Sequence, residues 1–301
     1  MRRFAIFCLI SLAGLPGPAA KGEAESATMT YVHSAPDSDQ DMRAQPAWEV
    51  LRQALERTRN IYGDYRIVTA AITQSQRRLG RDSDGSDRVV NIALLPVPAP
   101  SEQRRLTAVR IPVYRGLWGY RVLLIRAGDQ GRFDNVTSLA ALQSLTIGQA
   151  EYWADVSILK NAGLRVVTGE SYEGLFKMLK AGRFDAFSRS VVEVRDELNG
   201  REDLSSGLAV ERHLLLHYPM PEYFWFPNDA AGNRLAERAR VGLMSMVADG
   251  SLQRMIEESL EQVAGELHLE NRQVIELPNP LLTSEDPVDD RSFWYRPGGH
   301  K

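Results

Sequence analysis

Apolar residues fall in short blocks along this chain, and the blocks alternate between a strand-like and a helix-like spacing. Met29 to Val32 and Tyr65 to Val68 are strand-sized runs, and between them Trp48, Leu51, Ala54 and Leu55 share one face of a helix. A polar stretch from Gln74 to Asp87 contains the Asp84-Gly85 turn pair, and the apolar run from Val89 to Leu95 after it predicts a buried strand. Tyr120 to Ile125 predicts another strand, with a short helix over Ser138 to Leu142 beyond it. Strands at Thr146–Gly148, Leu164–Thr168 and Phe184–Phe187 then alternate with helices at Asp155–Ala162, Tyr172–Ala181 and Val191–Leu198. Ser171 precedes the second of these helices and Glu173 stands in its first turn, an acceptor and a negative charge where exposed amides need both. Two apolar runs, Leu208–Leu216 and Tyr223–Phe226, lead to long helices over Asn233–Val247 and Leu252–Leu267, separated by Asp249-Gly250. Pro278, Pro280, Pro287 and Pro297 mark the rest as a tail lying along the surface or loose at its end. Such alternation predicts an α/β sheet with crossovers rather than an all-β domain.

The amino terminus departs from this pattern. Arg2 and Arg3 precede an apolar run from Phe4 to Leu12, and a stretch rich in Gly, Pro and Ala follows from Gly14 to Ala20. This is the order of a secretory signal peptide, with cleavage expected between Ala19 and Ala27, and the run is too short to cross a bilayer. Cys8 is the only cysteine of the 301 residues and lies inside the apolar run, so a lipid anchor and disulfides are not expected. The remaining length allows two domains. A formal net charge of -3 gives no basic balance for nucleic acid. Val122–Ile125, bounded by Arg121 and Arg126, is strand-sized, so no membrane span is expected after the leader.

Catalytic chemistry finds little support. The histidines are His33, His213, His217, His268 and His300, and His213 with His217 falls in an extended segment rather than on a helix face. Neither a nucleophile turn nor a phosphate-cradling loop is present, and the carboxylate pair Glu257 and Glu258 reads as a solvated helix face. No catalytic residue, metal site or cofactor is expected.

Three segments carry a family resemblance. Ser101–Arg104, followed by Arg110–Tyr114, resembles the Thr-Pro-Glu-Arg and Phe-Ser-x-Pro-Tyr segments of extracellular solute-binding proteins of the polar amino-acid type. Thr146–Gln149 resembles the strand-to-Gly turn that opens the second lobe's first ligand-facing helix, and Ser171–Ala186 is similar to the helix that ends in Gly-Arg-x-Asp-Ala. The resemblance spans residues 28–267. It implies a two-lobed type II periplasmic binding protein-like α/β fold, the second lobe inserted in the first. The expected division is a signal peptide in 1–27, a first lobe from 28–117 and 218–280, a second lobe at 118–217, and a tail at 281–301. It further implies a periplasmic protein that captures a small solute between its lobes by hinge closure, for a membrane transporter or a sensor.

Through the resemblance, Arg104 matches the arginine that pairs with a ligand carboxylate, with Arg105 the alternative after a one-residue shift. Ser190 stands where the family has the aspartate that holds a ligand ammonium, and Arg189 beside it adds positive charge, although an ion pair with Glu193 is open to it. Gln149, Glu151, Trp153 and Asp155 follow the Gly148 turn at the expected cleft edge. Trp118, Tyr114 and Tyr120 flank the first crossover, and His33 and Ser34 end the first strand. The ligand-site expectation is thus Arg104, Arg105, Trp118, Gln149, Trp153, Arg189 and Ser190, with an anionic or aromatic solute. Two other readings stay open: an enzyme on the same fold, and an interaction protein whose cleft has lost its ligand and whose Phe293–Tyr295 tail engages a partner.

Overall fold

The computed structural model describes residues 28–36, 44–73, 89–98, 103–199 and 202–295. The expected signal peptide with Cys8, the expected Asp84-Gly85 turn and His300 lie outside the described residues.

In chain order the first part contains β1 (Met29–Ala35), α1 (Gln45–Arg57), α2 (Arg59–Tyr62), β2 (Tyr65–Thr73), β3 (Ala93–Pro96) and β4 (Leu106–Val109). The middle contains β5 (Tyr120–Arg126), α3 (Leu139–Leu142), β6 (Thr146–Ala150), α4 (Asp155–Asn161), β7 (Arg165–Gly169), α5 (Tyr172–Lys180), β8 (Ala186–Ser190), α6 (Val194–Asn199), α7 (Glu202–Ser205), β9 (Leu208–Val210) and β10 (Leu214–His217). The last part contains β11 (Glu222–Pro227), α8 (Ala230–Ala248), α9 (Ser251–Leu267) and β12 (Gln273–Glu276).

The first lobe is built from β1 parallel to β2 and from the antiparallel set β3-β11-β4. Asn91 joins the two sets. Its amide donates to Val32 O, its side-chain oxygen accepts from Val32 N at 2.7 Å, and its side-chain nitrogen donates to Thr30 O. The side chain thereby supplies ladder bonds that a regular strand would make with its backbone. The apolar face of α1 buries Ala47, Val50, Leu51, Ala54 and Leu55. It packs on α8 closely enough that a Cβ on Gly242 would lie 2.1 Å from Ala54 O.

The second lobe is a mixed sheet in the order β12-β10-β5-β8-β6-β7, with β9 also paired to β5. The centre of β5, Val122–Ile125, is apolar without alternation because both its faces are covered. Val122 and Leu124 enter one hydrophobic cluster while Leu123 and Ile125 enter the other. Two helix starts follow from their sequence: Ser138 Oγ accepts from Ala141 N, and Ser171 Oγ accepts from Gly174 N. Gly148 is needed for packing, since the Phe184 ring lies where its Cβ would be, 2.2 Å away.

The carboxyl-terminal part differs from the expectation. Residues 273–276, assigned on sequence to the first lobe, form β12 and pair in parallel with β10 in the sheet of the second. Arg272 steers the chain there by donating to Leu267 O and, through long-range bonds invisible to local spacing, to Glu211 O and Leu214 O. Beyond β12 the tail packs as well: Leu281 and Leu282 meet Tyr223 and Trp225, and Trp294 is buried. None of the described helices is long and apolar enough to cross a membrane.

Candidate functional site

A cleft of about 480 Å³ opens between the lobes. The first lobe contributes Leu94–Pro98 and Glu222, and the second contributes Trp118, Arg121, Glu151–Asp155, Arg189 and Glu193. Met220, on the second crossover, Leu281, in the tail, and Ala44 and Ser157 also line it.

Strand alternation puts two arginines on opposite faces of the second lobe's sheet. On β5, Arg121 lies beside Leu123 and Ile125 on the face covered by α4, and Arg189 on β8 points with Phe187 to the other. Arg121 is 2% exposed and its Nη2 lies 2.7 Å from Asp155 Oδ1, to which the Tyr218 hydroxyl also donates. Its Nη1 lies 3.7 Å from Glu193 Oε2. Arg189 is 1% exposed and stacks 4.9 Å from the rings of Trp153 and Phe187. Its guanidinium donates to both carboxylate oxygens of Glu197 and lies 3.0 Å from Glu193 Oε1. Glu197 also accepts from the Tyr172 hydroxyl at 2.7 Å.

Burial opposes the positive charge on both arginines, but the carboxylates beside them outweigh it. Asp155, Tyr218 and Glu193 hold Arg121 above the ordinary guanidinium value, and Glu193 and Glu197 hold Arg189 well above it. Burial likewise pushes the Tyr218 and Tyr172 phenols up, with the adjacent carboxylates adding to the effect. The lattice is therefore two fixed cations crosslinking three carboxylates, and it holds β5, β8, α4 and α6 rigidly against each other.

Of the residues nominated by sequence, Trp118, Trp153 and Arg189 line the cleft, as do Glu151 and Asp155 of the expected cleft edge. Gln149 and Ser190 are fully buried in the sheet beneath it: Gln149 donates to Ser188 O at 3.3 Å, and Ser190 Oγ accepts from Val192 N. Arg104 and Arg105 are exposed and away from the cleft. Arg104 instead edges a separate, open recess with Arg110, Trp225 and Glu285. Arg121, Glu193, Glu197, Glu222 and Tyr218 were not nominated. The available signal was a charge placed inside an apolar strand, as Arg121 is at the head of β5. His33 lies away from the cleft wall, stacked 4.1 Å from Trp48, with burial lowering its pKa. His213 and His217 pair separately, with Glu211 at 2.7 Å and Glu276 at 2.6 Å.

The charge of the cleft differs from the anion-binding character expected. Among the described residues lining it, Glu151, Asp155, Glu193 and Glu222 face Arg121 and Arg189, and both arginines are already ion-paired. An anionic solute would meet an acidic wall in which the cations are committed.

No family model and no curated protein matches the sequence. Solved structures do. An amino acid ABC transporter substrate-binding protein of Streptococcus pneumoniae, bound to L-arginine, superposes with a TM-score of 0.51 at 14% identity, covering 78% of this chain and 94% of that one. A Salmonella typhimurium periplasmic binding protein of high arginine specificity gives 0.51 at 13% identity, covering 77% and 99%. An ancestral arginine-binding protein gives 0.50 at 14% identity, covering 77% and 97%. At such identities the likeness establishes the fold, the two-lobed type II α/β fold of substrate-binding proteins.

Proposed function

We propose that this protein is an exported solute receptor that holds a small molecule bearing a positively charged group in the cleft between its lobes, for delivery to a membrane transporter or a sensor. The observation that carries this reading is the cleft itself: about 480 Å³, walled by Trp118 and Trp153 and edged by four carboxylates. That volume suits a metabolite-sized ligand, and aromatic walls with a few placed polar groups are the usual construction of such sites. Carboxylates and indole faces together favour an ammonium or guanidinium. Arginine, bound by two of the structural neighbours, is a solute of this kind. The amino-terminal leader read from the sequence supports export to the periplasm.

A thermal-shift screen of the protein lacking its leader tests the reading, because a ligand that binds only the folded state raises its melting temperature. Basic amino acids and amines should raise it, dicarboxylates and phosphate should not, and Trp153→Ala should abolish the effect. Stabilisation by anions alone would overturn the assigned charge, and no shift with any class would overturn the receptor reading.

A further inference from the structure

The carboxyl-terminal segment 277–295 touches both crossovers between the lobes. It leaves β12 with Leu277 N donating to His217 O at 2.7 Å at the end of β10, and Asn279 Nδ2 then donates to Pro219 O at 2.8 Å on the second crossover. Leu281 enters the cleft wall, and with Leu282 packs on the first lobe's Tyr223 and Trp225. Asp286, its carboxylate buried, pairs with Arg110 Nη1 at 2.7 Å at the end of β4. The segment finally turns back onto the first crossover.

There the fit is tightest. Arg115 and Gly116 both have positive φ, 52° and 77°, a conformation that costs a non-glycine residue energy and is kept where surroundings enforce it. The Trp294 ring occupies the space a Cβ on Gly116 would need, with Cε3 only 2.2 Å from that position. Tyr295 N donates to Arg115 O at 2.8 Å, and Arg115 Nη2 returns a bond to Trp294 O at 3.1 Å. Arg115 Nη1 also reaches Glu257 on α9 at 3.1 Å. The two crossovers are bonded to each other, through Tyr218 N to Gly119 O and Val113 N to Glu222 O.

Hinge closure in a two-lobed protein is absorbed by dihedral changes at a few crossover residues. Here those residues are held from outside by a strap that spans both lobes, and the chain passes between the lobes four times rather than twice. One buried apolar cluster also runs through both, from Leu51 and Leu243 through Ile256 and Leu260 to Val122 and Phe176. We infer that the 277–295 strap locks the hinge, so that the cleft is presented at one fixed opening and solute enters without large closure of the lobes. This holds independently of what the cleft binds.

The test measures the lobe separation without ligand. Spin labels at Asn60→Cys in the first lobe and Lys160→Cys in the second, in the protein lacking its leader and with it Cys8, should give a single narrow distance when the strap is unaltered. Trp294→Ala, and separately Asn279→Ala with Asp286→Ala, should broaden it and add a second population. A distribution in the intact chain as broad as in the variants, or variants as narrow as the intact chain, overturns the lock. Should a variant fail to fold, hydrogen exchange in the intact protein decides. The amides of Gly119, Tyr218 and Tyr295 should exchange only with global unfolding, and exchange by a faster local opening would sink the inference.

Discussion

Arg189, on β8 between Phe187 and Val191, has its guanidinium matched by two carboxylates beyond the strand, Glu193 just before α6 and Glu197 within it. Removing the cation leaves both acids buried. Arg189→Met should therefore lower unfolding stability by about 3–5 kcal/mol in urea titration, with Glu197→Gln in the same chain restoring part of the loss. His33 offers a second residue-level test. Its imidazole is buried, which lowers its pKa below the ordinary value of about 6.5, partly offset by its hydrogen bond to Ser34 O. The unfolded chain then binds the proton more readily, so stability from neutral His33 is present above about pH 6.5 and lost as pH falls toward the lower folded value. Melting temperature should drop over that range, and less so in His33→Gln. The resemblance marked both residues; it nominated Arg189 for a ligand with an ion pair to Glu193 left open, and the fold shows that pair together with one to Glu197. A guanidinium in an apolar strand must find a buried partner, and which one depends on packing across the sheet.

Among the elements, those with a strong period or a local cap were legible. The α1 face, the Ser171 cap and the apolar run Val122–Ile125 of β5 emerge where spacing places them, because helix and strand periodicity acts over a few residues. α8 starts three residues before its expected Asn233, because Asp229 accepts from Gly232 N at 2.8 Å and so caps the helix there. Asp229→Ala should cost about 1 kcal/mol in chemical denaturation, and Asp229→Asn much less. β12 was not legible. Its four residues, Gln273–Glu276, are mostly exposed and form a strand because β10 presents an open edge to them.

For the molecule as a whole, the alternation of strands and helices, together with the Gly148 turn and the Ser171–Ala186 segment, was sufficient to indicate an α/β two-lobed protein, and the solved structures share that fold. Alternation determines layers because each apolar stripe must be buried against another element. The same local information left the cleft's chemistry undetermined. Arg104 and Arg105 match a motif yet remain exposed, whereas Arg121, flanked on paper only by a strand, stands in the cleft wall with Asp155. The path of the tail, read as a surface segment, becomes a strap over the hinge through Trp294 and Asp286. Periodicity and caps are local interactions and are written in the sequence. The charge balance of the cleft and the clamp on the crossovers arise from residues far apart in the chain, such as Arg115 with Trp294, that meet only once the lobes have packed.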